Sequence, residues 1–198
     1  MYEYIIDAEK SFIAGWFFED MSLCDDLIYH FEQSSNKVQG EIHRSTDKLP
    51  KVDKSEKDST DVDLRLDTVI GSRYVNELQK VLEMYKIKYP SSDKTSKYQI
   101  ESINLQKYDP HGGYHAWHTE RSGGLWPGAY RHLVFMTYLN DVDDEGGTQF
   151  EHQNVTIQPR KGLTLIWPAD WTHTHRGIPS TTQTKYIATG WYSFSNQS

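Results

Sequence analysis

Apolar positions follow one period in the first half of the 198-residue chain and another from about Tyr98 onward. Leu23, Leu27, Ile28 and Phe31 recur at three- and four-residue steps. Ser22, followed three positions later by the acidic Asp25, resembles a capping box, so a helix is predicted over Ser22–Gln33. Val69, Ile70, Tyr74, Val75, Leu78, Val81, Leu82 and Tyr85 share one helical face and predict a second helix that stops before Pro90, with a polar connection over 91–96. The stretch YEYIID (2–7) reads as a short strand. Residues 43–63 (HRSTDKLPKVDKSEKDSTDVD) are charged and nearly without large apolar side chains, so a solvated loop is expected. A lid beside an active site is the alternative.

Beyond Tyr98 the runs shorten and become β-rich: QIESINLQKY, RHLVFMTYLN, TQFE, NVTIQP, GLTLIWP and KYIATGWYSF. Turn-forming segments such as DPHGG, RSGGLWPG, NDVDDEGG, PRKG and STTQ separate them. Short strands at this spacing predict a mainly β member of the α+β class, a sandwich or barrel with both helices on one outer face. No repeat or boundary divides the sequence, so one domain over 1–198 is expected, with its core at about 98–194.

Composition narrows the class. Aromatics at 13% exclude a disordered chain, and no apolar run reaches the roughly 20 residues of a spanning helix. The start MYEYIIDAEK lacks the pattern of a secretory signal, and a lone cysteine, Cys24, excludes an internal disulfide. A cytoplasmic protein with no membrane partner is expected. The net charge of -7 disfavours nucleic acid as a partner.

Histidine placement supplies the chemistry. His118 and Glu120 stand two residues apart, which on an extended strand puts both on one face. His173 and His175 repeat that spacing later, and periodicity does not separate them. Two imidazoles and a carboxylate with positions left open suit non-haem Fe(II).

Residues from about Leu105 to Trp191 resemble the iron and 2-oxoglutarate oxygenases, and within them the prolyl 4-hydroxylase type, including the oxygen-sensing prolyl hydroxylases. The resemblance is carried by Tyr108-Asp-Pro-His-Gly-Gly-Tyr114-His-Ala-Trp-His118-Thr-Glu120, by Tyr138-Leu139-Asn140 with Gly146-Gly147-Thr148, and by His175-Arg-Gly-Ile-Pro179 with Lys185-Tyr-Ile-Ala-Thr189-Gly-Trp191. It implies a double-stranded β-helix, the jelly-roll or cupin-like barrel, with iron on His118, Glu120 and His175 as the catalytic centre. His175 is preferred over His173 because Pro179 and Lys185 follow it at the family's distances. The family pattern further implies that Lys185 meets the distal carboxylate of 2-oxoglutarate, with Tyr108, Tyr138 and Thr189 near the same co-substrate. Arg131 matches a basic position at the substrate opening, and Trp126 and Trp191 are aromatic candidates for substrate contact. Two departures stand out: Glu120 replaces the usual aspartate, and Lys185 replaces the arginine of the oxygen-sensing group.

The resemblance implies Fe(II), 2-oxoglutarate and O2, with ascorbate as a reductant. It also implies C–H hydroxylation of prolyl residues in a peptide or protein. The alternatives are hydroxylation of a free amino acid or other small molecule, and a non-enzymatic metal-binding jelly-roll module. Oxidative demethylation of nucleic acid is disfavoured by the acidic charge and by Trp191, which stands where alkylation-repair relatives carry a second arginine.

Overall fold

A computed structural model describes residues 1–6, 11–42, 49–94, 96–121 and 127–195. Trp126 and residues 43–48 of the expected loop lie outside the described residues. The elements are β1 (Glu3–Tyr4), β2 (Ala14–Phe17), α1 (Ser22–Gln33), β3 (Val38–Gln39), β4 (Thr60–Asp63), α2 (Val69–Lys88), β5 (Tyr98–Tyr108), β6 (Arg131–Tyr138), β7 (Thr148–Phe150), β8 (Val155–Ile157), β9 (Leu163–Pro168), β10 (His175–Gly177) and β11 (Lys185–Phe194).

The strands form two antiparallel sheets. The larger runs in the order β1-β2-β9-β6-β11-β5-β4-β3 and the smaller in the order β10-β7-β8. Period-two alternation divides the core. On β6, Leu133 and Phe135 join the helix-side cluster, whereas Val134, Met136 and Tyr138 join the cluster between the sheets. On β9, Ile166 packs to the helix side, while Leu163, Leu165 and Trp167 pack inward. Helix α1 contributes Leu23, Leu27 and Phe31 to the outer cluster, and α2 contributes Tyr74, Leu78, Val81 and Tyr85. The expected placement of both helices on one outer face is observed. Among the described residues no helix is long and apolar enough to cross a membrane.

Several local expectations change. Helix α1 begins after Met21 with no side-chain cap, and Asp20 rather than Ser22 supplies the acceptor, taking the Ser22 N–H at 3.1 Å. Thr68 caps α2 by accepting from Gly71 N at 3.1 Å, and Val69 is 82% exposed instead of facing the core. Of the strand expected over 2–7, only Glu3–Tyr4 is a strand among the described residues, and it pairs with β2, for which the pattern provided no signal.

The charged stretch 43–63 is not a solvated loop throughout. Its last residues form β4 against β5, and Lys57, Ser59 and Asp61 are buried. Lys57 Nζ and Ser59 Oγ each donate to Asp61 at 2.7 Å, and Gln106 Nε2 donates to it at 3.1 Å. This mutual satisfaction lets a charged sequence turn inward. Backbone bonds from Asp58 N to Gly113 O and from His115 N to Glu56 O tie the segment to the chain leading into His118.

His173 and His175 also part company. Residues Trp171–His173 form a short 3-10 turn, and the strand begins only at His175, so alternation does not relate the two side chains. The His173 imidazole is bonded to Ser11 O at 2.8 Å and anchors the N-terminal segment.

Candidate metal centre and cavity

The space between the sheets opens into a cavity of about 620 Å³. Its floor holds three ligand-type side chains from two chain segments. His118 and Glu120 lie on an irregular extended stretch, where His118 forms an isolated antiparallel bridge with His175 at the start of β10. That bridge, closed by two backbone bonds of 2.9 and 3.0 Å, brings the distant pieces together.

Glu120 Oε1 lies 3.5 Å from His118 Nε2 and 3.4 Å from His175 Nε2. The three side chains can present ligand atoms all within 4.8 Å of one another. The far nitrogen of each ring is already engaged: His118 Nδ1 with Ala116 O at 3.0 Å, and His175 Nδ1 with His173 O at 2.9 Å. A carbonyl only accepts, so each Nδ1 carries a proton and each ring turns its Nε2 inward toward Glu120. Burial, and next the neighbouring His175, push the His118 imidazole below its ordinary pKa. Burial alone would raise the Glu120 carboxyl, but the two facing imidazoles outweigh it and hold that group well below the carboxylate range. Two Nε2 atoms, which become lone-pair donors when a cation displaces any proton on them, and a carboxylate therefore converge, a donor set that a divalent cation satisfies.

Aromatic packing holds the rings. Tyr114 stacks on His118 with centroids 3.6 Å apart, and Phe150 and Trp167 flank His175 at 5.5 and 5.1 Å. On the other side of Glu120, Trp191 Nε1 donates to Oε2 at 2.9 Å, and Arg131 forms an ion pair with Glu101 at 2.9 Å.

Lys185 begins β11 in register with Tyr108 at the end of β5. It is 4% exposed, donates to Gly146 O at 2.7 Å and lies 5.0 Å from the Tyr108 ring centroid. Among the described residues no carboxylate lies within ion-pairing distance of its ammonium. Burial alone pushes its pKa down to about 8.

The expected residues separate by position. His118, Glu120, His175, Lys185, Tyr108, Thr189, Arg131 and Trp191 all line the one cavity. Tyr138 does not line it; its hydroxyl is bonded to Thr148 Oγ1 at 2.7 Å and to Ile157 O at 3.0 Å, one layer behind the wall. Thr189 donates its hydroxyl to Phe135 O at 3.0 Å. The motif reading missed Lys57, Asp61 and Gln106 on the wall, with Glu101 behind it. Gln106 and Glu101 could have been flagged as polar positions inside a strand, whereas nothing marked Lys57 and Asp61 within a uniformly charged run.

Comparison with known proteins agrees with this geometry. Residues 103–193 match the family model of the 2OG-Fe(II) oxygenase superfamily. A 49-residue segment is 51% identical to procollagen-lysine,2-oxoglutarate 5-dioxygenase 1 of Bos taurus and of Homo sapiens, covering 24% of this chain but only 7% of those longer proteins. Among solved structures, a viral collagen prolyl hydroxylase from Paramecium Bursaria Chlorella virus-1 superposes with a TM-score of 0.67 at 16% identity, covering 96% of this chain and 100% of the other. A Pseudomonas putida prolyl-4-hydroxylase gives 0.69 at 13% identity, covering 91% and 92%. A Trichoplax adhaerens prolyl hydroxylase, solved with a hypoxia inducible factor peptide fragment, gives 0.71 at 15% identity, covering 93% and 84%. These likenesses establish the jelly-roll fold. Over residues 103–193 the chain is similar to the 2OG-Fe(II) oxygenase superfamily.

Proposed function

We propose that this protein is an Fe(II)- and 2-oxoglutarate-dependent hydroxylase acting on prolyl residues of a peptide or protein. One observation carries the reading: a converging His118–Glu120–His175 donor set shares its cavity with a buried ammonium, Lys185, that has no carboxylate partner among the described residues. A dicarboxylate answers both needs, with one end at the metal and the other on the lysine. An unpaired buried charge is costly, and supplying its counter-ion turns that cost into affinity for the co-substrate.

When bound, ferrous iron with 2-oxoglutarate and O2 supplies the oxidising chemistry: one oxygen atom goes to a substrate C–H bond to give C–OH, and the other goes into succinate as CO2 leaves. The chain's own residues set the geometry. His118 and His175, locked by their Nδ1 bonds, present Nε2, and Glu120 presents one carboxylate oxygen. Lys185, against the Tyr108 ring and on the same cavity wall as Thr189, would take the distal carboxylate as a point charge. Tyr114, Phe150 and Trp167 shield the rings from water. Ascorbate would serve as the reductant.

Support for a peptide substrate comes from the solved neighbours, one of which holds a peptide fragment. A lysyl residue is the second reading. It is favoured by the segment shared with procollagen-lysine dioxygenases and by Glu41 and Asp63, exposed carboxylates on the cavity wall that suit an ammonium.

The test is anaerobic loading with Fe(II) and 2-oxoglutarate, then admission of O2 and measurement of succinate with proline peptides, lysine peptides and free amino acids. Stimulation by proline peptides is expected. Stimulation by lysine peptides alone would move the assignment to the second reading, and stimulation by free amino acids alone would overturn both.

A further inference from the structure

Two side chains without a part in the chemistry above converge on the carboxylate of Glu120, and a third, Glu101, holds one of them. Trp191 Nε1 donates to Oε2 at 2.9 Å. The Arg131 guanidinium lies over the Trp191 ring, 3.5 Å from its centroid, with NH1 3.6 Å from the same Oε2 and donating to the Glu120 carbonyl at 3.2 Å. Glu101 neutralises the arginine through NH2 at 2.9 Å, and Ser193 Oγ donates to Glu101 in turn. The side chains of Arg131 and Glu101 are only 19% and 11% exposed. All sit on the adjacent strands β6, β11 and β5, with Arg131 and Ser193 paired in register.

We propose that Glu101, Arg131 and Trp191 form a positioning device that seats Glu120 as a one-oxygen metal ligand. The proposal rests on the reading of His118, Glu120 and His175 as the metal ligands. Glutamate has one more rotatable bond than aspartate, so holding its carboxylate in one place costs more side-chain entropy. It can also swing so that both oxygens reach an ion, which would use a position the co-substrate and O2 need. Here the two oxygens are differentiated. Oε2 faces the indole N–H and the guanidinium, whereas Oε1 faces the two Nε2 atoms. The indole is held by the stacked guanidinium, and the guanidinium is fixed by Glu101, so the restraint passes from strand to strand onto the ligand. Arg131 and Trp191 both line the cavity, but their polar groups are already committed to Glu101 and Glu120. Positioning the ligand is therefore a better assignment for them than substrate contact.

The experiment titrates the full-length protein with Co(II), a probe that needs no turnover, and follows the visible d–d absorption. Wild type is compared with Trp191→Phe, which keeps the ring and loses the N–H, and with Glu101→Gln, which frees the guanidinium. Loss of such an outer partner weakens metal affinity about 10-fold or more. That size is expected for Trp191→Phe, with a smaller loss for Glu101→Gln, a changed d–d band in both, and metal-free melting temperatures that do not account for the losses. A purely structural network would lower the melting temperature and leave the Co(II) affinity and band of the folded protein at wild-type values; that result overturns the proposal. Tight wild-type binding with unchanged variants would keep the metal site and reject the device. Failure of the wild type to bind Co(II) would reject both.

Discussion

Strand β11 presents two kinds of interior. Toward the helices, Ala188 and Tyr192 enter an apolar cluster in which Tyr74 OH meets Thr137 Oγ1 at 2.9 Å. Toward the smaller sheet, Lys185, Thr189 and Trp191 line a cavity that also holds the His–Glu–His set. The helix face is built almost wholly of apolar groups, as a face that serves stability should be, with the Tyr192 hydroxyl as its buried polar atom without a hydrogen-bond partner among the described residues. The cavity face buries a lysine that has no carboxylate partner among the described residues and gathers two imidazoles around a carboxylate. Folding gains nothing from either arrangement. Such groups become favourable only when a ligand arrives, so the difference between the faces separates stability from function on one sheet.

The largest effect should come from breaking the cavity face at its centre. His118→Ala or His175→Ala is expected to abolish Fe(II) binding and 2-oxoglutarate turnover while the fold persists. Wild-type-like turnover in either variant would remove it from the ligand set. Breaking the helix face should do the reverse. Leu78 is fully buried on α2, and Leu78→Ala should cost about 2–5 kcal/mol of unfolding free energy. Its 2-oxoglutarate affinity below the unfolding midpoint should equal that of wild type, and a large affinity loss would show the two faces to be coupled.

Lys185→Met sharpens the contrast, because one change should move the two properties oppositely. Affinity for 2-oxoglutarate should fall by about 2 kcal/mol or more, roughly 30-fold, as a charged hydrogen bond is lost. The ligand-free protein should melt higher, because an unpaired buried charge has been removed. Unchanged affinity would exclude Lys185 as the carboxylate partner.

The mildest test is pH. The Lys185 pKa is lowered from 10.5 to about 8 in the folded chain. Below about pH 8 it is protonated whether folded or unfolded, and the burial penalty applies in full. Between about 8 and 10.5 the unfolded chain holds the proton that the folded chain has released, so the ligand-free protein should gain stability as pH rises. The gain is on the order of 3 kcal/mol over the window. Affinity for 2-oxoglutarate should weaken above about pH 8, and denaturant melts of Lys185→Met should lack the stability rise.

Much of the fold was legible because it is local. The 3.6-residue apolar period located both helices, and the β-rich run at 185–194 coincides with β11. Strands that are short or partnered only across the sheet were not legible. In β2 the four residues AGWF carry no alternation of their own and become a strand by pairing with β9 and β1. The inward turn of Lys57 and Asp61 was hidden because charge patterning reports what water tolerates, whereas their burial depends on donors supplied by Ser59 and Gln106.

For the site, the sequence by itself determined the inventory: a His-x-Glu pair, two later histidines, a lysine after them, and residue types that suit a cation and a carboxylate. Tertiary structure decided which of these meet. The 3-10 turn at Trp171–His173 breaks the alternation, sends His173 to the carbonyl of Ser11 and leaves His175 facing Glu120. The same closure carries Trp191 and Arg131 onto the unused oxygen of Glu120. Periodicity encodes the direction of a side chain relative to its own backbone. Which side chains from distant segments converge depends on how the two sheets close on each other, and that is set by the packing of the whole core.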